Sequence, residues 1–173
     1  MEKYSNRLVI VHWLTLVLLV VSWFLGDSLD EARENGGATI AAYVTHAAIG
    51  ASVMLLTLMR LAFRRQDGVP TALGNTPMDK MAKGIQHFLY LVLVLIPFSG
   101  VMQVLGSAVG KAIIAGDAAL LPSKFNGLFA HEAHGVLVNV LIVLVLIHLL
   151  GALKHQFVLK DGIMNRMSLR NKK

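Results

Sequence analysis

Four stretches of the chain carry no Asp, Glu, Lys or Arg: Leu8 to Gly26, Ala38 to Met59, Gly84 to Gly110, and Ala133 to Leu153. They are 19, 22, 27 and 21 residues long, and a helix needs about 20 apolar residues to cross the hydrocarbon of a bilayer. In lipid every backbone N–H and C=O must find its partner within the protein, and a helix achieves this alone. Buried helices of a soluble bundle would each show a polar stripe, which none of these runs has. The pattern predicts an all-α fold, an integral membrane four-helix up-down bundle. It forms one membrane domain over 1–173, with helices at approximately 6–26, 38–63, 80–108 and 132–158. Lys3 and Arg7 before the first run look like the basic start of a signal peptide. The run is too long for one and leads into Asp27, Asp30 and Glu31 rather than a small-residue cleavage site, so it reads as an uncleaved first span.

The charges sort by side. The N-terminus, the Arg60 to Lys83 connection and the C-terminal segment hold thirteen of the 16 Lys and Arg, and the connections around 27–37 and 111–132 hold the other three. By the positive-inside rule both termini face the cytoplasm. Subtracting Glu2, Asp67, Asp79 and Asp161 leaves that side at +9, and the three outer cations against six acids leave the other at −3. The net charge of +6 is therefore a topology signal. Nucleic acid, which would need a basic face on a soluble domain, is not an expected partner; membrane lipid is. Pro97 is expected to kink the third helix, and the segment from Lys111 to Phe129 to lie along the outer membrane surface.

The chain has no cysteine and seven histidines. Thiolate zinc sites, iron–sulfur clusters, disulfides and thiol catalysis are excluded together, and any metal falls to histidine, methionine or oxygen. Five histidines, His12, His46, His87, His134 and His148, lie inside the charge-free runs, where ionisable groups are expensive and usually functional. His134 and His148 are fourteen residues apart, which returns a helix to within about 40° of the same face after about 21 Å. Each needs a partner from another helix at its own depth. Up-down topology supplies His12 for His148 near the cytoplasmic side and His46 for His134 towards the outer side. His46 is the ninth residue of its run and His134 the second, a nominal depth difference of about 10 Å. Gly36 and Gly37 suggest that helix two projects beyond the lipid. His131, seventeen residues from His148 and about 100° off the shared face, is the rejected rival.

Two histidine pairs about 20 Å apart in a four-helix bundle suit two bis-histidine b-type haems better than a bare ion, which would favour carboxylates or thiolates that the spans lack. A six-coordinate haem leaves no open position for oxygen, so the expected chemistry is electron transfer across the bilayer. Arg60, fourteen residues after His46, faces the interior one layer lower, either as a partner for haem propionates or as a positive-inside flank. Gly50, one turn after His46, and Gly151, three residues after His148, would let a macrocycle approach the backbone or would pack helices. Trp13, Trp23 and Tyr43 read as interfacial anchors.

These features resemble the prokaryotic four-helix cytochrome b561 family. The resemblance rests on RLVIVHWLTLVLL in helix one, THAAIGASVMLLTLMRLAFR in helix two, QHFLYLVLVLIPFSG in helix three, HGVLVNVLIVLVLIHLLGALKHQF in helix four, and the tail KDGIMNRM. It implies His12 and His148 as axial ligands of one haem and His46 and His134 of the other, in a multi-pass electron carrier of the bacterial inner membrane that exchanges electrons with the quinone pool. A superoxide oxidase within that family implies superoxide, or another periplasmic-side donor, as the electron source and ubiquinone as the acceptor. The rival expectation is a non-enzymatic relay for a partner dehydrogenase or periplasmic redox protein. His87 and His155 match family histidines outside the ligand set and are the quinone-site candidates; His155 lies seven residues below His148 on the same face. Against the outer net charge of −3, Lys111 and Lys124 are the local positive groups that could draw in superoxide.

Overall fold

The computed structural model describes residues 2–71 and 74–169; Arg170, Lys172 and Lys173 of the charge count lie outside them. Four long helices dominate: α1 (Asn6–Glu34), α2 (Ile40–Asp67), α3 (Pro77–Gly106) and α5 (Phe129–Leu153), with a short α4 (Ala108–Ala115) between the last two. All four are long and apolar enough to cross a membrane. Each starts where local chemistry favours it. The Ser5 hydroxyl accepts the Leu8 amide, Thr39 accepts Ala42, and Thr76 with Asp79 forms a reciprocal capping box around Pro77. Charge density separates a basic end, with Lys3, Arg7, Arg64 and Arg65, from an acidic end with Asp27, Asp30, Glu31 and Glu34.

The helices run past the boundaries expected from charge. α1 continues for eight residues beyond Gly26, through four carboxylates, to Glu34. Charges mark the edge of the lipid and do not break a helix; the chain turns only at Gly36, with φ +73°. α5 begins at Phe129, before the charge-free run. His134 is then the sixth residue of α5 and His46 the seventh of α2, so the nominal depth difference between them disappears.

α1 packs on α2, α2 on α3, and α3 on α5, whereas among the described residues neither α1 nor α2 packs closely on α5. Val92 of α3 meets Leu141 and Leu144 of α5 in the mid-bundle core. A second cluster, Leu29, Tyr43, Val109 and Phe125, closes the acidic end. The connection expected to lie flat on the membrane thus tucks inward: Val109 and Ala112 of α4 are buried, and Ile114 is exposed. Arg33 draws this connection down by donating to the Ser123 carbonyl at 2.9 Å, while its guanidinium lies 5.2 Å from the Phe125 ring centre. Most other large apolar side chains, among them Ile10, Phe24, Leu55 and Phe98, point outward, as lipid as solvent requires.

Replacing Phe125 by Ala removes a buried aromatic anchor, a change that costs about 3–5 kcal/mol in a core. Protease cleavage between Gly116 and Gly127 in detergent is expected to accelerate on the order of a hundredfold, with cleavage elsewhere unchanged.

Candidate haem-binding site

Two histidine pairs face one another across the gaps beside α5. The His12 and His148 ring centres are 6.4 Å apart, and those of His46 and His134 are 6.3 Å apart. A single metal atom bonded to one nitrogen of each ring, at about 2.0–2.1 Å with roughly 1.1 Å more from nitrogen to ring centre, spans about 6.3 Å in all. Among the described residues no three His, Cys, Asp or Glu side chains converge as a bare ion would need. A metal that brings its own equatorial donors requires only two axial nitrogens from the protein.

In the acidic-end pair the tautomer of His134 is set by α3. The Ile96 carbonyl accepts from Ser99 Oγ at 2.7 Å and from His134 Nδ1 at 3.1 Å, and Ser99 Oγ lies 3.0 Å from the same ring nitrogen. With its proton on Nδ1, His134 leaves the Nε2 lone pair for a metal. Two glycines absent from the sequence expectations lie against these rings. A Cβ at Gly26 would stand 3.1 Å from His46 Cε1, and one at Gly100 would stand 3.5 Å from His134 Cε1. Helical spacing along α2 or α5 could not reveal them, because they belong to α1 and α3. Gly50 borders a cavity of about 30 Å³ with Leu19, Ser22 and Pro97, and a Cβ there would meet nothing within 4 Å. Gly151 likewise faces open space.

At the basic end Arg60 donates to Nδ1 of His12. Its guanidinium also lies 5.8 Å from the Tyr90 ring centre, shared with Arg64 on the same ring at 5.6 Å. Nε of Arg60 is buried without a hydrogen-bond partner. A buried cation without an anion is strongly disfavoured, so this position fits the carboxylates of a haem. Trp13 is held by more than the interface: its Nε1 donates to the Met167 carbonyl at 3.1 Å, tying α1 to the C-terminal segment. Tyr43, expected as an anchor in the headgroup region, is buried at 8% exposure because α1 outlasts the lipid and α4 folds over it.

The sequence pattern of the prokaryotic cytochrome b561 family matches residues 3–168. The chain belongs to that family. It is 32% identical to cytochrome b562 of Cereibacter sphaeroides, over 95% of this chain and 94% of that protein. It is 30% identical to cytochrome b561 homolog 2 of Escherichia coli, over 96% and 91%. It is 25% identical to the probable superoxide oxidase CybB of Yersinia pestis, over 96% of both chains. No solved structure matches the chain significantly. Membership makes it a haem b-binding electron-transfer protein of a membrane.

The remaining candidates of this cytochrome b561 chain are dispersed. His87 is exposed and its Nδ1 donates to Lys83 O, one turn earlier on α3, at 2.8 Å. His155 lies on a π-helical turn, Lys154–Leu159, and donates from Nδ1 to Asp161 at 2.5 Å. Wide turns of this kind often mark functional sites. Lys111 and Lys124 are exposed near the acidic end, on α4 and on the connection beyond it. His131 joins neither pair; its ring packs on Phe125 at 4.7 Å.

The hydrogen bond from His155 holds the Asp161 carboxyl below the usual carboxylate range. A depressed carboxylate stabilises the fold above its unfolded value and loses that contribution as the pH falls through the folded one. Asp161 also accepts the Ile163 amide at 3.0 Å. The exchange protection of that amide is therefore expected to hold from neutral pH to about 4 and to fall below it, and to be low throughout in Asp161→Ala.

Proposed function

We propose that the chain is a di-haem oxidoreductase of the bacterial inner membrane that passes electrons from superoxide, or another donor outside the membrane, to ubiquinone. The carrying observation is the two histidine pairs, one towards each end of the bundle, each with the span of a two-nitrogen metal bridge. In this reading His12 with His148 and His46 with His134 are the axial ligands, and a bound haem supplies reversible one-electron exchange at each depth. With the basic end in the cytoplasm, both chain termini lie inside. Arg60 gives up His12 and takes a haem carboxylate instead. That exchange also frees the His12 tautomer, because donation from a guanidinium to Nδ1 leaves the proton on Nε2.

The electron count fits two turnovers of donor per acceptor. Each superoxide loses one electron and leaves as dioxygen; two electrons with two cytoplasmic protons reduce one quinone to quinol. His155, oriented by Asp161 at the basic end, suits a hydrogen bond to a quinone carbonyl, and His87 is the other imidazole of that half outside the ligand pair. Gly50 and Gly151 leave room beside the ligand layers, and Lys111 and Lys124 are the local attraction for an anion. The acidic-end connections sum to −3, three cations against six acids. That sign favours a second reading, a relay that docks a basic redox partner.

A reduced-minus-oxidised spectrum of the purified protein is expected to show low-spin haem b at two per chain, falling to one in His148→Ala and in His134→Ala. A colourless protein overturns the proposal. Superoxide mixed with the protein and ubiquinone is expected to be consumed with quinol formed at one per two superoxide; unchanged superoxide decay leaves the relay.

A further inference from the structure

A polar cluster at the acidic end is not accounted for by the ligand pairs. Tyr43, one turn before His46 on α2, is buried at 8% exposure, and its hydroxyl is buried without a hydrogen-bond partner. A buried phenol normally finds one. The side chain packs with Leu29, Val109 and Phe125, beneath the connection that Arg33 holds down. Arg33 is itself buried at 8% exposure and lies, with Asp30, within electrostatic reach of Tyr43. Tyr43 precedes His46 by three residues on α2, and Gly26, one turn before Asp30 on α1, lies against the His46 ring, which sets the cluster beside the acidic-end pair.

We propose that Tyr43 and Arg33 form a carboxylate-binding site that takes a propionate of the haem held between His46 and His134; the inference rests on that haem reading. The donors available match a carboxylate. The Tyr43 hydroxyl has its proton to give. Of the five guanidinium N–H groups of Arg33, one from Nε and one from an Nη go to Asp30 at 3.3 and 2.9 Å, and one goes to the Ser123 carbonyl, which leaves two. Asp30 is the competing anion, but its side chain is 60% exposed and keeps its water, whereas a carboxylate arriving from below would find only these donors. The cluster is thereby the counterpart, at the acidic end, of Arg60 at the basic end. Its effect is electrostatic. A hydroxyl that donates to the carboxylate spreads its negative charge and so favours the reduced haem.

The test is a redox titration of the haem-loaded protein and of Tyr43→Phe, which keeps the ring and removes the hydroxyl. One of the two midpoints is expected to fall in Tyr43→Phe, by a two- to tenfold change in the oxidised-to-reduced ratio, roughly 18 to 59 mV for one electron. The other midpoint stays in place. After reconstitution with haem dimethyl ester, whose carboxylates are blocked, wild type and Tyr43→Phe are expected to coincide, the non-additivity that identifies a direct partner. Equal midpoints with natural haem overturn the proposal, and so does a difference that persists with the ester, which would assign Tyr43 to packing alone. A wild-type midpoint that moves on adding formate would assign the site to a free anion instead. Absence of haem from the His46–His134 pair overturns the underlying reading, and is recognised by haem content before any midpoint is measured.

Discussion

The site depends on α3 gripping α5 while α1 and α2 stand off from it. Val92 packs between Leu141 and Leu144, and the Ile96 carbonyl and Ser99 hydroxyl of the same helix hold the His134 ring. One helix therefore fixes both the position of α5 and the tautomer of its outer imidazole. Lipid offers no hydrophobic penalty for a gap between helices, because the tails are as apolar as leucine. What holds such a gap open is the geometry of a neighbouring pair that packs well. The histidines then face each other across helix pairs that make no close contact.

Much of this was legible in the sequence because a membrane allows so few solutions. The absence of charge over some twenty residues admits only a helix, and fourteen residues between His134 and His148 fix a shared face whatever surrounds it. The ring centres of His12 and His148 lie 6.4 Å apart, and those of His46 and His134 6.3 Å apart. Less legible was anything that depends on where a helix stops after leaving lipid. Asp27 and Asp30 ended the apolar run but not α1, and the eight further residues are what bury Tyr43 and Arg33. The glycines against the rings were hidden for another reason. Gly26 and Gly100 come from helices other than the one whose ring they meet, and intrahelical spacing carries no information across a bundle.

The two ends also differ in how they are closed. At the basic end the chain ties itself shut with directed bonds: Trp13 to the Met167 carbonyl, Arg166 to the Thr71 carbonyl, Lys3 to Ser168, and His155 to Asp161. At the acidic end closure is mostly apolar, with α4 and Phe125 laid over Leu29, and one buried arginine bonding the connection from beneath. Directed bonds among exposed groups are individually weak and exchange readily with water, whereas a packed apolar cap excludes it. The basic end is thus the better suited to protons and a polar headgroup, and the acidic end to keeping water from the pair beneath it.

This contrast bears on how a charged cofactor edge could be accommodated at both depths. A buried carboxylate must be met by donors already aimed at it. Arg60 has a buried Nε without a partner and Tyr43 a buried hydroxyl without one; Arg60 is bonded to His12, and Tyr43 lies one turn before His46. Beside runs that hold no charge, a guanidinium whose Nε is buried without a partner calls for an anion. Helix α2 could pack on α1 and α3 without Arg60, and the phenol of Tyr43 could be a phenylalanine. Both are explained if the bundle is built around a group that is apolar across its face and anionic at its edge, with the anionic edge turned towards each surface.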